Sequence, residues 1–569
     1  MLRLVALCLI VLATPLGAQS YPEPADLTPA ERAALRAEIR DRVFLTAQTA
    51  QTTAAGRALA QAAVRAAAGG GALAALLRSR QDGADRLDRL VADLAVAGQG
   101  SGANAEAEVR RLEREVRDQR AALAQMDARL TDEFPDFREL TDPQPLTVDE
   151  VQAALDPDEA LLLTLTDDEF TYLWAVSKTA ADWTRAPLPD SDVNDRIRSL
   201  RAQLSGDDGT RAGVAINAPR RRGQGFDRGT AHGLYAQVFQ PLEHVFRDAA
   251  HVIAVVDGPW TSLPLSVLIT DPPAGDDADP EALRQTGWLI KRHALTTLPS
   301  VSALKVLRRA RDAAPADPAA RRPFVGFGDP VLGYRLAALD GSEVPVPDDA
   351  VVTRGVYEDV REVADLAPLP NTARELRRLA ATMGADEGAL YLGPGATETA
   401  VKEADLGGVD VIAFATHGLL ADGLPGLSEP ALVFTPPAAP TTEDDALLTA
   451  SEAAQLKLSA RLVILSACDT AGSDGTPGAE GLSGLARAFI YAGARAILVS
   501  HWPVDDFAAS VLTTGMLDRM TGDDPRRRAE ALQASMLDLL QDRSEDRFAH
   551  PRLWAPFVVV GEGGDDRAR

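Results

Sequence analysis

Five short apolar runs that alternate with helical segments constrain the fold of this chain more than any other feature. They are rich in Val, Ile, Leu and Phe and lack the regular polar alternation of a half-exposed strand. Continuous apolar strands separated by helices are typical of a mostly parallel sheet that is covered on both faces. The sequence therefore predicts an α/β fold. The five predicted strands span residues 251–256, 323–327, 409–415, 462–465 and 496–499.

A helical region and a β-hairpin precede those strands. Residues 28–135 are rich in Ala, Leu, Arg and Glu and are broken by two glycine clusters, which predicts several helices. Residues 159–166 and 170–176 flank a turn and predict a hairpin. The last N-terminal helix carries a heptad-like apolar stripe, which predicts either an intramolecular bundle or a coiled coil. The stripe consists of Val109, Leu112, Val116, Leu123, Met126 and Leu130.

Composition argues against several classes of function. The 569 residues include 58 basic and 83 acidic side chains, a net charge of −25, which disfavours nucleic acid as a partner. The seven histidines form no metal-ligand pattern, and the sequence has no GxxxxGK[ST] phosphate loop. We therefore expect neither a metal site nor a cofactor.

The N-terminus has the features of an export signal. Arg3 supplies a positive charge, residues 4–12 form an apolar core, and small residues around Ala18 form a cleavage region. The apolar segment is too short to span a bilayer comfortably. We expect a signal peptide at 1–18, cleavage near Ala18, a periplasmic or secreted protein, and no stable membrane span after cleavage. The alternative is that the segment stays uncleaved and anchors the protein to a membrane.

Removal of that signal would leave Cys468 as the single cysteine, which excludes an intrachain disulfide. Cys468 closely follows the predicted strand 462–465, and His417 closely follows the predicted strand 409–415. Functional groups gather at the carboxyl ends of parallel strands, so the two side chains emerge at one edge if these strands are neighbours. The alternative is that the thiol is a small apolar core residue, as most free cysteines are.

The chemistry of acyl transfer fits this pair of residues. A nearby imidazole raises the thiolate fraction of a cysteine and can return a proton to a leaving amine. Backbone N–H groups are also needed where negative charge develops on the substrate carbonyl. The N–H groups of Gly418 and Cys468 are the candidates for this oxyanion hole.

Several segments around this pair resemble the CHAT domain, a family of the caspase-like, separase-related (clan CD) cysteine peptidase superfamily. They are Phe-Ala-Thr-His-Gly at 414–418, Leu-Ser-Ala-Cys-Asp-Thr at 465–470, Trp-Pro-Val-Asp-Asp at 502–506 and Leu-Pro-Asn-Thr-Ala-Arg-Glu at 369–375. The resemblance implies a caspase-like α/β sandwich at 145–562, with its core at about 320–562. A helical region at 19–135 would precede it, and a disordered tail at 563–569 would follow.

The resemblance also implies roles for individual residues. His417 corresponds to the general base and Cys468 to the nucleophile of a His/Cys dyad. Asp505 and Asp506 match the region where separase-type relatives bind a basic P1 side chain, although acidic residues there also serve as helix caps. His501 stands where the family usually has an apolar residue.

Three functions stay open on the sequence. The first is an exported cysteine endopeptidase that cleaves a protein substrate, or itself, through a thioester acyl-enzyme. The second is a non-catalytic CHAT-fold module that binds proteins. The third is a cysteine hydrolase or transferase that acts on a non-peptide acyl group. The expected partners are a protein or peptide substrate and a protein bound by the N-terminal helices.

Overall fold

A computed structural model of the chain gives the fold. It describes residues 28–51, 103–133, 144–205, 225–312, 321–332, 371–419, 431–437, 444–466, 484–502, 504–522 and 524–564, with a few single positions between them.

The described residues form fifteen α-helices, several of them a single turn. They are α1 (Pro29–Ala50), α2 (Ala103–Glu133), α3 (Val148–Ala154), α4 (Asp190–Ser205), α5 (Arg228–Leu234), α6 (Glu243–Phe246), α7 (Pro280–Gln285), α8 (Val301–Asp312), α9 (Thr372–Thr382), α10 (Glu398–Glu403), α11 (Ala450–Ala453), α12 (Gly484–Ala492), α13 (Asp506–Thr521), α14 (Arg528–Gln541) and α15 (Pro551–Trp554).

Fourteen strands accompany these helices in the described ranges. They are β1 (Glu159–Thr166), β2 (Thr171–Ser177), β3 (Ala181–Ala186), β4 (His251–Val255), β5 (Ala294–Thr297), β6 (Arg322–Pro330), β7 (Leu390–Gly393), β8 (Val409–Ala415), β9 (Gly418–Leu419), β10 (Ala431–Val433), β11 (Leu447–Thr449), β12 (Leu462–Leu465), β13 (Ala496–Ser500) and β14 (Phe557–Gly561).

Eleven strands form one large sheet in the order β3-β2-β1-β4-β5-β14-β13-β12-β8-β6-β7. The five strands from β13 to β7 in this order are parallel to one another, whereas β13 is antiparallel to β14 on its other side. Strands β9, β10 and β11 form a separate small antiparallel sheet. The parallel block therefore brings the carboxyl ends of β8, β12 and β13 to one edge.

Both faces of the large sheet are covered, as the continuous apolar runs require. Successive residues of β12 alternate between the two cores, with Leu462 and Ile464 on one side and Val463 and Leu465 on the other. Helices α4, α9, α13 and α14 pack on the first side. Helices α1, α3, α8, α10 and α12 pack on the second. The predicted α/β class, with a mostly parallel sheet and helices on both faces, is confirmed.

Helix α1 covers the edge of the large sheet that β3 forms. Arg36 and Arg40 donate hydrogen bonds to the carbonyls of Trp183 and Ala181 on the edge strand β3, at 3.0 and 2.8 Å. Phe44 is buried against Trp174. Carbonyl groups on an exposed edge invite pairing with another chain, so the helix protects this edge. In α2, Leu112 and Val116 of the predicted stripe are buried with Leu90.

The hairpin and the five apolar strands lie where the sequence predicts them. Strands β3, β5, β7 and β14 and the small sheet were not predicted, since they are short or follow turn-rich segments. Among the described residues no helix has the length and apolarity needed to cross a membrane.

A buried ionic group stabilises the start of β1. Glu159 Oε1 lies 3.1 Å from His251 Nδ1, and Arg308 donates to Glu159 Oε2 at 2.5 Å. Burial alone would raise the pKa of Glu159, but the hydrogen bond with His251 and the charge of Arg308 outweigh it and lower the pKa to about 2. This stabilisation is fully present above the ordinary pKa of 4.5 and is lost as the pH falls from 4.5 through 2.

Glu159→Gln should lower the free energy of unfolding at pH 7 by about 3 kcal/mol, because Arg308 is then left buried without its counter-ion. The difference from the wild type should shrink as the pH falls below about 4. Urea unfolding at pH 7 and at pH 3 measures both effects. Equal stabilities at pH 7 would contradict the assignment.

Candidate active site

The pairing of β8 with β12 sets the geometry of the candidate site. The two strands are parallel neighbours, with Leu462 opposite Val411 and Leu465 opposite Phe414. Every pair in this register is offset by 51 positions in the sequence, since 465 − 414 = 51. His417 and Cys468 are separated by the same number, 468 − 417 = 51. The two strands are thus neighbours, as the predicted dyad requires.

The small antiparallel sheet holds His417 in place directly after β8. The carbonyl of His417 accepts a hydrogen bond from Val433 N at 3.0 Å, and Thr416 Oγ1 donates to the carbonyl of Val433 at 2.5 Å. Gly418 and Leu419 then pair with β10. The backbone around His417 is therefore tied to both sheets, and the residue itself is half-buried at the edge.

The direction of the Gly418 N–H follows from this pairing. In an antiparallel pair, residues alternate between hydrogen-bonded and non-hydrogen-bonded positions. Val433 and His417 occupy a hydrogen-bonded position, so Gly418, which is opposite Leu432, occupies the other kind. Its N–H consequently points away from β10. This direction is compatible with the predicted role of Gly418 as an oxyanion donor.

A buried carboxylate anchors the small sheet at its far side. Glu398 in α10 accepts hydrogen bonds from the N–H groups of Asp445 and Ala446, at 2.9 and 3.1 Å, just before β11. Lys402 lies 2.5 Å from the same carboxylate. Burial raises the pKa of Glu398 to about 7 in spite of the lysine. The small sheet, whose first strand directly follows His417, is thereby joined to α10.

The end of β12 is described as far as Ser466. Its N–H donates to the carbonyl of Phe414 at 2.9 Å, and its hydroxyl donates to Glu375 Oε2 at 3.4 Å. Cys468 itself, the predicted nucleophile and second oxyanion donor, lies outside the described residues. Glu375 belongs to the segment at 369–375 that resembles the family, but the sequence assigned it no role.

Asp505 has a structural role at the edge beyond β13. Its Oδ1 caps α13 by accepting from the N–H groups of Phe507 and Ala508, at 3.1 and 3.2 Å. Its Oδ2 lies 3.0 Å from Arg547 Nη1. Asp506 is the first residue of α13, and its side chain lies outside what the structure describes. The cap uses one oxygen of Asp505 and leaves the second to a side-chain cation.

His501 is buried at the end of β13, between its backbone bonds to Pro556 and Arg201. Burial, with a smaller contribution from the charge of Arg201, lowers the pKa of His501 to about 3. The imidazole is therefore neutral at pH 7 and does not serve as a general acid there. Its Nδ1 has no hydrogen-bond partner among the residues that the structure describes.

No group of three or more His, Cys, Asp or Glu side chains in the described part of the chain is arranged to hold a metal ion. The groups of the candidate site that the structure describes are two strand ends, the Gly418 N–H and the imidazole of His417.

Comparison with known domains identifies the family. The CHAT domain matches residues 228–562, which is more than half of the chain. The chain belongs to the CHAT domain family. The family predicted from the motifs is thus confirmed, and the predicted boundary at 145 stays a prediction.

Curated relatives of this CHAT protein match only a short part of it. Tetratricopeptide repeat protein 28 of Mus musculus is 35% identical over 115 residues, and the Homo sapiens protein of that name is 33% identical over 115 residues. The match covers 20% of this chain and 4% of either relative. The activity and partners of those large proteins are therefore not transferred by the match.

Two solved structures superpose on larger parts of the chain. The separase–securin complex of Saccharomyces cerevisiae gives a TM-score of 0.39 and 11% identity over 81% of this chain and 34% of that chain. The complex of the pro- and mature domains of RgpB from Porphyromonas gingivalis gives 0.33 and 14%, over 66% and 76%. At these scores neither superposition establishes a common fold by itself, and the family assignment rests on the domain match.

The neighbouring strand β6 approaches the end of β8 closely at Gly328. A Cβ atom at Gly328 would lie 2.5 Å from the carbonyl oxygen of Ala415 and 2.7 Å from Leu376 Cδ1. Ala415 precedes His417 by two residues. Any side chain at Gly328 must therefore displace the backbone that leads into His417.

Gly328→Ala should destabilise the protein by about 1–3 kcal/mol and accelerate amide exchange at the end of β8. Hydrogen exchange of a peptide covering 411–419, together with a denaturant melt, measures both effects. Gly233→Ala in α5 is the control, because a Cβ there meets no atom within 4 Å. Unchanged exchange at 411–419 in Gly328→Ala would refute this role of the close contact.

Proposed function

We propose that this CHAT protein is an exported cysteine endopeptidase that cleaves a protein substrate, or itself, with His417 as base and Cys468 as nucleophile. The observation that carries the proposal is the offset of 51 positions between β8 and β12, which equals the separation of the two residues. Neighbouring strands of a sheet lie about 4.8 Å apart. Two residues level with each other at such strand ends are within reach of a hydrogen bond after small side-chain adjustments.

The proposed reaction has two steps. His417 takes the thiol proton as sulfur attacks the substrate carbonyl carbon, and the N–H groups of Gly418 and Cys468 donate to the resulting oxyanion. The C–N bond then breaks, and the imidazolium gives its proton to the leaving amine, so that a thioester remains. Water, deprotonated by His417, attacks the thioester carbonyl. The C–S bond breaks, the acid product leaves, and the proton returns to the sulfur.

The signal-like N-terminus supports export of the protein. A single thiol suits an exported enzyme, because other cysteines would capture the nucleophile in a disulfide. The helices before the CHAT domain, α1 and α2, are the proposed surface for a protein partner. Their positions are compatible with this role, since α1 lies at the edge of the large sheet.

A labelling experiment tests the dyad. Cys468 should react with an acyl-mimic thiol probe, and His417→Ala should slow that reaction by about a hundredfold, because general base catalysis is lost. Intact-mass spectrometry measures the rate, and Cys468→Ala is the control for labelling at other sites. A peptide library incubated with the wild type and with Cys468→Ala then shows whether peptide bonds are cleaved.

Equal, slow labelling of the wild type and His417→Ala would overturn the enzymatic proposal and favour the non-catalytic binding module. Rapid, His417-dependent labelling without any peptide cleavage would instead favour a hydrolase or transferase of a non-peptide acyl group. Cleavage in the library that disappears with Cys468→Ala supports the endopeptidase.

Asp505 is the proposed recognition residue for a basic P1 side chain, together with Asp506. The ion pair between Asp505 Oδ2 and Arg547 is partly exposed, with 28% and 42% of the two side chains accessible. Exposed pairs of this kind contribute about 0–1 kcal/mol. A substrate cation could therefore replace Arg547 at Oδ2 while Oδ1 continues to cap α13.

Asp505→Asn should reduce the preference for Arg or Lys at P1 by about tenfold and leave the stability nearly unchanged, because asparagine is also a good helix cap. Asp505→Ala is the matched control, since it removes the cap as well and should cost about 1 kcal/mol. Cleavage rates of peptides with Arg and with Gln at P1 measure the preference. The same Arg preference in Asp505→Asn and the wild type would remove Asp505 from substrate recognition.

A further inference from the structure

Arg547 already places a guanidinium group on the carboxylate oxygen that a basic P1 side chain would need. It lies in the 3₁₀ helix Asp546–Ala549, between α14 and α15. Its Nη1 is 3.0 Å from Asp505 Oδ2, and its Nε is 2.7 Å from Glu545 Oε2. Its Cζ lies 5.1 Å from the centre of the Phe548 ring. The chain thus supplies its own arginine to the carboxylate proposed for substrate recognition.

Each of these contacts is weak, and together they hold Arg547 without locking it. The side chains of Arg547, Asp505 and Glu545 are 42%, 28% and 52% exposed, so water screens both ion pairs. The ring of Phe548 is buried and stacks on Phe507 at a centroid distance of 5.5 Å, so it provides a fixed surface for the guanidinium. Contacts of this strength change an equilibrium by up to about fivefold each. A second cation that makes similar contacts therefore competes with Arg547 on nearly equal terms.

Capping of α13 is a weak reason for this arginine. Asp505 Oδ1 accepts hydrogen bonds from the N–H groups of Phe507 and Ala508, and these bonds do not involve Oδ2. The positive end of the helix dipole also stabilises a carboxylate at this position without a neighbouring cation. Displacement of Arg547 leaves Asp505 and Glu545 without the counter-ion that they share, which favours the entry of another cation.

We infer that Arg547 is a specificity-determining residue that competes with the basic P1 side chain of a substrate for Asp505 Oδ2. The inference rests on the proposed function, because it concerns the recognition of a substrate at that carboxylate. The apparent affinity for such a substrate falls in proportion to the fraction of molecules in which Arg547 has left Oδ2. A substrate with Gln at P1 makes no ion pair there, so its affinity does not depend on this competition.

A supporting role for Arg547 predicts the opposite result. If its guanidinium served to orient the carboxylate of Asp505 for a substrate, removal of the arginine would weaken the binding of a basic side chain. The cap already fixes this orientation through Oδ1, so the carboxylate keeps its direction without Arg547. The two explanations therefore differ in the sign of the effect on KM.

Arg547→Gln tests the competition with peptide substrates. The substitution keeps most of the side-chain length and removes the charge, so KM for Arg at P1 should fall by about fivefold with kcat nearly unchanged. KM for Gln at P1 should change by less than about twofold. Arg543→Gln is the matched control and should keep the wild-type KM values, because this exposed arginine pairs with Glu281 instead. An unchanged or raised KM for Arg at P1 in Arg547→Gln would overturn the inference.

A binding measurement does not depend on catalysis. In a nuclear magnetic resonance titration, Nα-acetyl-argininamide should bind Arg547→Gln about fivefold more tightly than the wild type, whereas Arg547→Lys, which keeps the charge, should resemble the wild type. Asp505→Asn in the Arg547→Gln background should abolish the gain, because Oδ2 has then lost its charge. If the wild type cleaves no peptide, the proposed function fails, and this titration alone decides whether Arg547 competes for Asp505. Equal or tighter binding of the probe by the wild type would contradict the competition.

Discussion

The parallel pairing of β8 with β12 is the interaction on which the candidate site depends. Backbone hydrogen bonds fix this pairing at an offset of 51 residues, and a slip by one residue would turn every side chain of one strand to the opposite face. Such a slip would move Leu462 and Ile464 out of one apolar core and Val463 and Leu465 out of the other. The register of the two strands is therefore held by burial on both faces.

The packing of β6 against β8 brings the backbones of these two strands close together at the end of β8. Phe327 and Phe414 stack at a centroid distance of 5.3 Å on one face, while Gly328 leaves room for Leu376 on the other. A large side chain at the end of β6 would separate it from β8 just where the chain turns towards His417. Beyond β8 the small sheet holds the chain, because the N–H of Val433 donates to the carbonyl of His417, two residues after the end of β8. His417 thus lies between two sheets and is oriented by both.

The sequence predicts those parts of the fold that depend on local apolar patterns. The strands before His417 and Cys468, β8 and β12, could be found because all of their residues are buried and all but Asp410 are apolar. The order of strands could not be found, since it depends on contacts between distant segments. Strands β9 to β11 have two or three residues each, too few for a periodic signal. The burial of Glu375 was also not predicted, because a single acidic residue in a helix is ordinarily at the surface.

The two oxygens of Asp505 have different partners, so its role as a helix cap is compatible with the proposed recognition of a basic side chain. A capping aspartate needs only one oxygen for the first N–H groups of the helix, and Oδ1 fills that need. The orientation of the carboxylate is then fixed, and Oδ2 presents its charge away from the helix, where Arg547 meets it. Because the helix dipole is already compensated by the cap, exchange of Arg547 for another cation leaves α13 unchanged. Capping therefore orients Oδ2 for a cation, and it does not exclude recognition of a basic side chain.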